Sequence, residues 1–166
     1  PRVELRGGSG ARILSLSRVQ FSSKTGTAPV LAGNIVTGGP GLPQISGRME
    51  RSGGGNAEFR LRMAEYSAGN SSLELPQITI TQSRSGALGF SGRVLASGDL
   101  PGGMARGLDL PISGSYTTGG DLALWGECTQ VGFDELVFAN LRMEKRALTL
   151  CPPRGGAMLR YSGGAV

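Results

Sequence analysis

Histidine is absent from this 166-residue chain. That absence removes the commonest general base, the Ser–His and Cys–His nucleophile pairs, and most zinc sites. Lysine is nearly absent as well: only Lys24 and Lys145 stand beside the arginines among 17 basic residues. Aromatic side chains make up 5% of the chain, with one Trp and three Tyr, which leaves little for stacking sugars or bases. No apolar run reaches about 18 residues, so no segment crosses a membrane as a helix. The two cysteines, Cys128 and Cys151, lie 23 positions apart, which fits neither a common metal-ligand pattern nor a redox CxxC. In an oxidising compartment they can pair and close a loop worth roughly 3 kcal/mol. The other reading is two small apolar side chains in a core; pairing is preferred.

Glycine is what the chain has in quantity, at 29 residues, with 9 prolines. Each glycine weakens a helix interior by about 1 kcal/mol relative to Ala. The apolar residues alternate instead, with a period of two. Ala57, Phe59, Leu61 and Met63 are separated by Glu58, Arg60 and Arg62. Ile78 and Ile80 share one parity, as do Leu88, Phe90 and Val94, and as do Leu108, Leu110 and Ile112. Leu14 and Leu16 give way to Val19 and Phe21 on the opposite parity, which predicts a bulge near Arg18. Turn clusters punctuate these runs, among them Gly7–Gly10, Gly38–Gly41, Ser52–Asn56, Gly69-Asn70, Pro101–Gly103 and Gly119–Asp121. A weak repeat also occurs: Leu42-Pro43-Gln44-Ile45 returns as Leu75-Pro76-Gln77-Ile78 and, more loosely, as Leu110-Pro111-Ile112.

The pattern predicts an all-β fold, an antiparallel and strongly curved meander sheet with a groove, or alternatively a β-sandwich. Residues 1–166 read as a single β-rich segment excised from a larger protein, because the chain opens on Pro1 with no charged-then-apolar leader. Between Phe133 and Arg154 the spacing of Phe133, Leu136, Val137 and Leu141 admits a short helix. A strand, a polar turn around Glu144-Lys145-Arg146 and a second strand is preferred. Trp125 is read as a core anchor, with a ligand or membrane interface as the other role.

Nothing in the sequence singles out a catalytic, metal or cofactor site. The 12 carboxylates are scattered, and Asp134-Glu135 is the one adjacent pair. Gly53-Gly54-Gly55 lacks the Lys-Ser/Thr of a phosphate-binding loop. The chain is expected not to be an enzyme and to need no cofactor. A net charge of +5 suits anionic headgroups, lipopolysaccharide or simply a solvated surface. Arg60 and Arg62 on one strand face could grip phosphate groups, with solvent exposure as the default. No five basic residues cluster, so nucleic acid is not an expected partner.

One stretch carries a family resemblance. Leu124-Trp125-Gly126-Glu127-Cys128, then Val131-Gly132-Phe133, Leu136 and Leu141, then Leu148-Thr149-Leu150-Cys151-Pro152 resemble segments of bacterial AsmA-like proteins, in particular the YdbH branch related to TamB. Upstream the likeness is one of style, in glycine-punctuated amphipathic strands. The resemblance implies a β-taco, a long bent sheet in the periplasm of double-membraned bacteria. Phospholipid would move along it between inner and outer membranes. It further implies an inner-membrane anchor and an outer-membrane partner, both in parts of the parent protein outside this chain. The groove lining would then be Phe59, Leu61, Met63, Ile78, Ile80, Leu88, Phe90, Val94, Leu108, Leu110 and Ile112, facing phospholipid acyl chains. Alternation alone fits a closed core equally well. The rival function is a non-catalytic structural or adhesive module of a surface protein, with a carbohydrate-active domain as a weaker third reading.

Overall fold

Extended backbone forms wherever the alternation calls for it. A computed structural model describes residues 2–23, 26 and 29–162. It shows twelve strands and no helix among the described residues: β1 Val3–Arg6, β2 Arg12–Ser22, β3 Val30–Gly39, β4 Leu42–Ser52, β5 Ala57–Ala68, β6 Ser71–Gln82, β7 Leu88–Leu100, β8 Gly103–Tyr116, β9 Leu122–Leu124, β10 Thr129–Phe138, β11 Leu141–Leu150 and β12 Leu159–Tyr161. All pair antiparallel in one sheet, in the order β1-β2-β3-β4-β5-β6-β7-β8-β10-β11, with β9 and β12 on a branch from β8. Most neighbours are joined by tight turns at the predicted clusters, so the sheet is a meander.

The sheet is a single, open layer. β1 and β11 end the main path and do not pair with each other. All strands among the described residues belong to this one sheet, and no second sheet lies among them. The sandwich alternative is therefore overturned. A sandwich would bring the inner faces of two sheets together about 10 Å apart. Burial reflects the single layer: among the described residues the buried apolar ones are Ala32, Ala57, Met63, Ala105, Val131 and Phe133, and no large side chain is wholly enclosed.

Irregularities follow a line across the sheet. Register shifts fall at Met63–Tyr66 of β5, Glu74–Gln77 of β6 and Ala96–Gly98 of β7. Further along the same diagonal, Gly107 on β8 has φ +57° and Lys145 on β11 has φ +44°. Bulges bend the strand that bears them and increase its twist. A separate shift between Ser17 and Gln20, with Arg18 at φ +50°, is the predicted bulge of β2.

Four sequence expectations are corrected here. The polar turn expected at Glu144–Arg146 lies inside β11; the chain reverses at Ala139-Asn140, where Ala139 takes φ +51°. The stretch with helix-like spacing is extended instead: Phe133, Leu136 and Val137 lie in β10 and Leu141 opens β11. The Leu-Pro repeat is not structural, since Pro43 opens β4, Pro76 sits in the β6 bulge and Pro111 lies mid-β8. Trp125 is a half-buried stitch rather than a core anchor. β8 pairs with β10 through residues 103–109 and with β9 through residues 114–116, and Trp125 fills the fork between them. Its backbone N–H donates to the Ser113 carbonyl at 2.9 Å and its indole N–H to the Pro111 carbonyl at 2.8 Å.

Cys128 and Cys151 form a disulfide at the open end of the β10–β11 hairpin, one step beyond the Thr129–Leu150 pair. The link converts that hairpin into a closed ring. Replacing both cysteines by serine is expected to lower stability by about 3 kcal/mol, read as the urea midpoint of purified protein. Glycine at position 92 is equally constrained. A Cβ there would lie 2.6 Å from Ile78 Cδ1 and would also meet the Gln77 carbonyl, whereas Gly126 has open space around it. Gly92→Val should therefore cost about 1–3 kcal/mol, while Gly126→Ala leaves the urea midpoint almost unchanged.

Candidate functional site

Residues paired across an antiparallel ladder share a face, so register decides which side chains line up. Two apolar rows run across the strands. One links Gly33, Met49, Phe59, Ile80, Phe90, Gly114, Leu124 and Leu159, from β3 through β8 to β9 and β12. The other links Val3, Leu16, Ile35, Gly47, Leu61, Ile78, Gly92 and Ile112, from β1 to β8. Strand spacing of about 4.8 Å makes each row roughly 34 Å long. Neither row contains a polar side chain.

The eleven predicted lining residues all fall on this face. Phe59, Ile80 and Phe90 share the first row; Leu61, Ile78 and Ile112 share the second. Val94 pairs with Leu110, Leu108 with Ala96, and Leu88 with Tyr116, while Met63 pairs with Ile45 and Leu75. Met63 is buried and the other ten are half-buried. The described strands form one sheet, with no second sheet among the described residues.

Their partial burial comes from neighbours leaning over glycine. A Cβ at Gly47 would sit 2.8 Å from Leu61 Cδ2, and one at Gly114 would sit 2.7 Å from both Leu124 Cδ2 and Phe90 Cε2. At Gly33 the corresponding neighbours are Leu16 Cδ1 at 3.2 Å and Val19 Cγ2 at 3.6 Å. Glycine thus trades its own apolar surface for room into which the next strand's large side chain settles, as aromatic and aliphatic residues do over sheet glycines. Sequence reasoning identified the large residues but not Val3, Leu16, Ile35, Met49 or Leu159, nor the glycines between them. The missing signal was register, which a turn list fixes only loosely.

The opposite face is polar. Its ladder includes Ser46, Arg48, Glu50, Glu58, Arg60, Arg62, Gln77, Thr79, Arg93 and Asp109. Arg48 pairs with Glu50 at 2.9 Å and Arg60 with Glu58. Glu135 takes Arg142 at 2.7 Å and Arg106 at 3.7 Å. Arg93 reaches across to Asp109 with two guanidinium nitrogens, one on each carboxylate oxygen. Those hydrogen bonds hold the Asp109 carboxyl below its ordinary range; partial burial opposes them and the guanidinium charge adds to them. No group of three His, Cys, Asp or Glu side chains able to hold a metal ion occurs among the described residues.

No protein-family model matches the chain, and no curated protein or solved structure matches it either.

The Arg93–Asp109 pair gives the polar face a pH signature. A depressed folded-state value means that the pair stabilises the sheet above the ordinary aspartate value of about 3.9 and that this stabilisation is lost as pH falls through the folded value. Asp109→Asn is expected to flatten the acid limb of a stability-against-pH curve below about pH 4, measured by urea unfolding at stepped pH. An acid limb identical to that of the parent would remove the pair from the account.

Proposed function

We propose that this chain is a section of a hydrophobic groove that binds phospholipid acyl chains and conducts them between the inner and outer membranes, across the periplasm. The observation that carries this reading is the pair of unbroken apolar rows on one face of a single sheet, where ten of the eleven lining residues stay only half-buried. A row of roughly 34 Å exceeds the length of a common acyl chain, and its run across the strands lets one chain touch several strands at once. Each methylene moved from water onto such a surface gains about 0.8 kcal/mol. Binding of this kind needs no directional side-chain chemistry, which suits rows built from Leu, Ile, Phe, Met and Gly.

The resemblance of the C-terminal third to AsmA-like proteins of the YdbH branch points the same way. It supplies the membranes at either end, the envelope location and the anchor in the rest of the parent protein. The disulfide agrees with an oxidising compartment such as the periplasm. Transport on this reading is non-catalytic: the face shields acyl chains while they slide, and the polar face keeps the outer surface wet.

The test is native mass spectrometry of the purified chain, followed by solvent extraction and lipid analysis. Phospholipid is expected to copurify and to be lost when Leu61 or Phe90 is changed to Asp in protein that keeps its far-ultraviolet β spectrum. A clean apo mass, with no uptake of added phospholipid by folded protein, would sink the groove and favour a structural or adhesive module whose apolar face is covered by another protein.

A further inference from the structure

We propose that the polar face carries a binding site for a phosphate-type oxoanion, centred on Arg62. A shallow concavity of about 560 Å³ opens there, and its lining also takes in Ile35, Gly47 and Leu61 of the second apolar row. Its polar lining is Asn34, Ser46, Arg48, Arg60, Arg62 and Gln77, and it includes no carboxylate. Three guanidinium groups from two adjacent strands therefore meet amide and hydroxyl donors in one place.

Register shows that this grouping carries an electrostatic cost. Arg48 stands directly opposite Arg60, and on the next rung of that face Glu50 stands directly opposite Glu58. Like charges across a rung are destabilising, and a solvent-facing rung could hold almost any polar pair instead. Swapping one Arg with one Glu would have matched both rungs. The arrangement seen gathers positive charge at the concavity and leaves Glu50 and Glu58 out of its lining, each engaging the Nε of its own strand's arginine.

Arg62 is the cation left over. Its Nε–H donates to Ser46 Oγ at 3.3 Å, and among the described residues no carboxylate lies within ion-pairing distance of it. Arg93, two strands along, is by contrast held by Asp109 through both ends of its fork. The terminal nitrogens of Arg62 are thus available, and a planar guanidinium fork matches two oxygens of a phosphate or sulfate group. Asn34 and Gln77 add neutral donors at the two ends of the site. The ligand class is a tetrahedral oxoanion, either free in solution or borne on a lipid headgroup.

The experiment titrates the whole chain with inorganic phosphate, following backbone amide shifts, and separately with vesicles of phosphatidylglycerol against phosphatidylcholine, following cosedimentation. Arg62→Gln and Arg154→Gln remove the same charge, the first at the site and the second at an exposed position outside it. Saturable shifts at β4 and β5 on phosphate addition, weakened about tenfold or more by Arg62→Gln and within twofold of the parent in Arg154→Gln, assign a free oxoanion. Binding to phosphatidylglycerol vesicles alone, with the same dependence on Arg62, assigns a headgroup. Phe90→Asp lies on the other face and should leave either response intact, so loss of the groove would not count against this site. The proposal is overturned by the absence of saturable binding in both titrations, or by equal effects of Arg62→Gln and Arg154→Gln.

Discussion

The hydrogen-bonded ladder between neighbouring strands is the constraint from which the rest of this structure follows. Among the described residues, every close backbone approach between strands is between hydrogen-bonded neighbours, so the ladder carries most of the tertiary connection. In most domains two layers share a core, and the ladder and the hydrophobic effect stabilise different directions of the fold. Here both act within one layer. Apolar burial comes from side chains on adjacent rungs lying against one another, and this sets a ceiling: a Leu or Phe on a single sheet keeps one side open unless a further molecule covers it.

Glycine governs how closely those rungs approach. At Gly47, Gly92 and Gly114 the absence of a side chain admits Leu61, Ile78 and Phe90 over the backbone. Apolar contact is gained along the row, at the entropic cost that glycine brings to any strand. The diagonal of register shifts on β5, β6 and β7 has a complementary effect, because it re-aims the alternation. Trp125 solves a third problem of a single sheet, that of dividing it. Its backbone and indole N–H groups satisfy carbonyls of β8 that neither β9 nor β10 reaches.

Strand identity was legible in the sequence because alternation and glycine clusters report the same fact twice. Ala57–Met63, with charge on one parity and hydrophobes on the other, needed no tertiary information. The face itself was legible for the same reason, and register then aligned eleven residues chosen strand by strand. The illegible parts share a cause. Where a residue takes positive φ, parity breaks, so Lys145 and its charged neighbours read as a turn while they continue a strand. Ala139 gave no sign of a reversal, since alanine seldom adopts φ near +51°. The cavity around Arg62 was half visible: Arg60 and Arg62 could be seen on one strand, but Arg48, Asn34 and Gln77 join them only through pairing.

The two ends of the main path show how such a sheet avoids indiscriminate growth. An exposed edge offers unpaired N–H and C=O groups to any extended chain, and native sheets blunt it with charge, brevity or twist. β11 carries Arg142, Glu144, Lys145 and Arg146 on its outer stretch, and the positive φ at Lys145 twists the strand where a partner would have to lie flat. β1 is only four residues long, and its Glu4 is ringed by Arg2, Arg6 and Arg12. Continuation of the second apolar row beyond β1 therefore demands a strand whose charges answer Glu4 and the arginines around it. Backbone pairing alone would not select such a strand, whereas a groove that must keep its apolar rows in line across many strands depends on that selection.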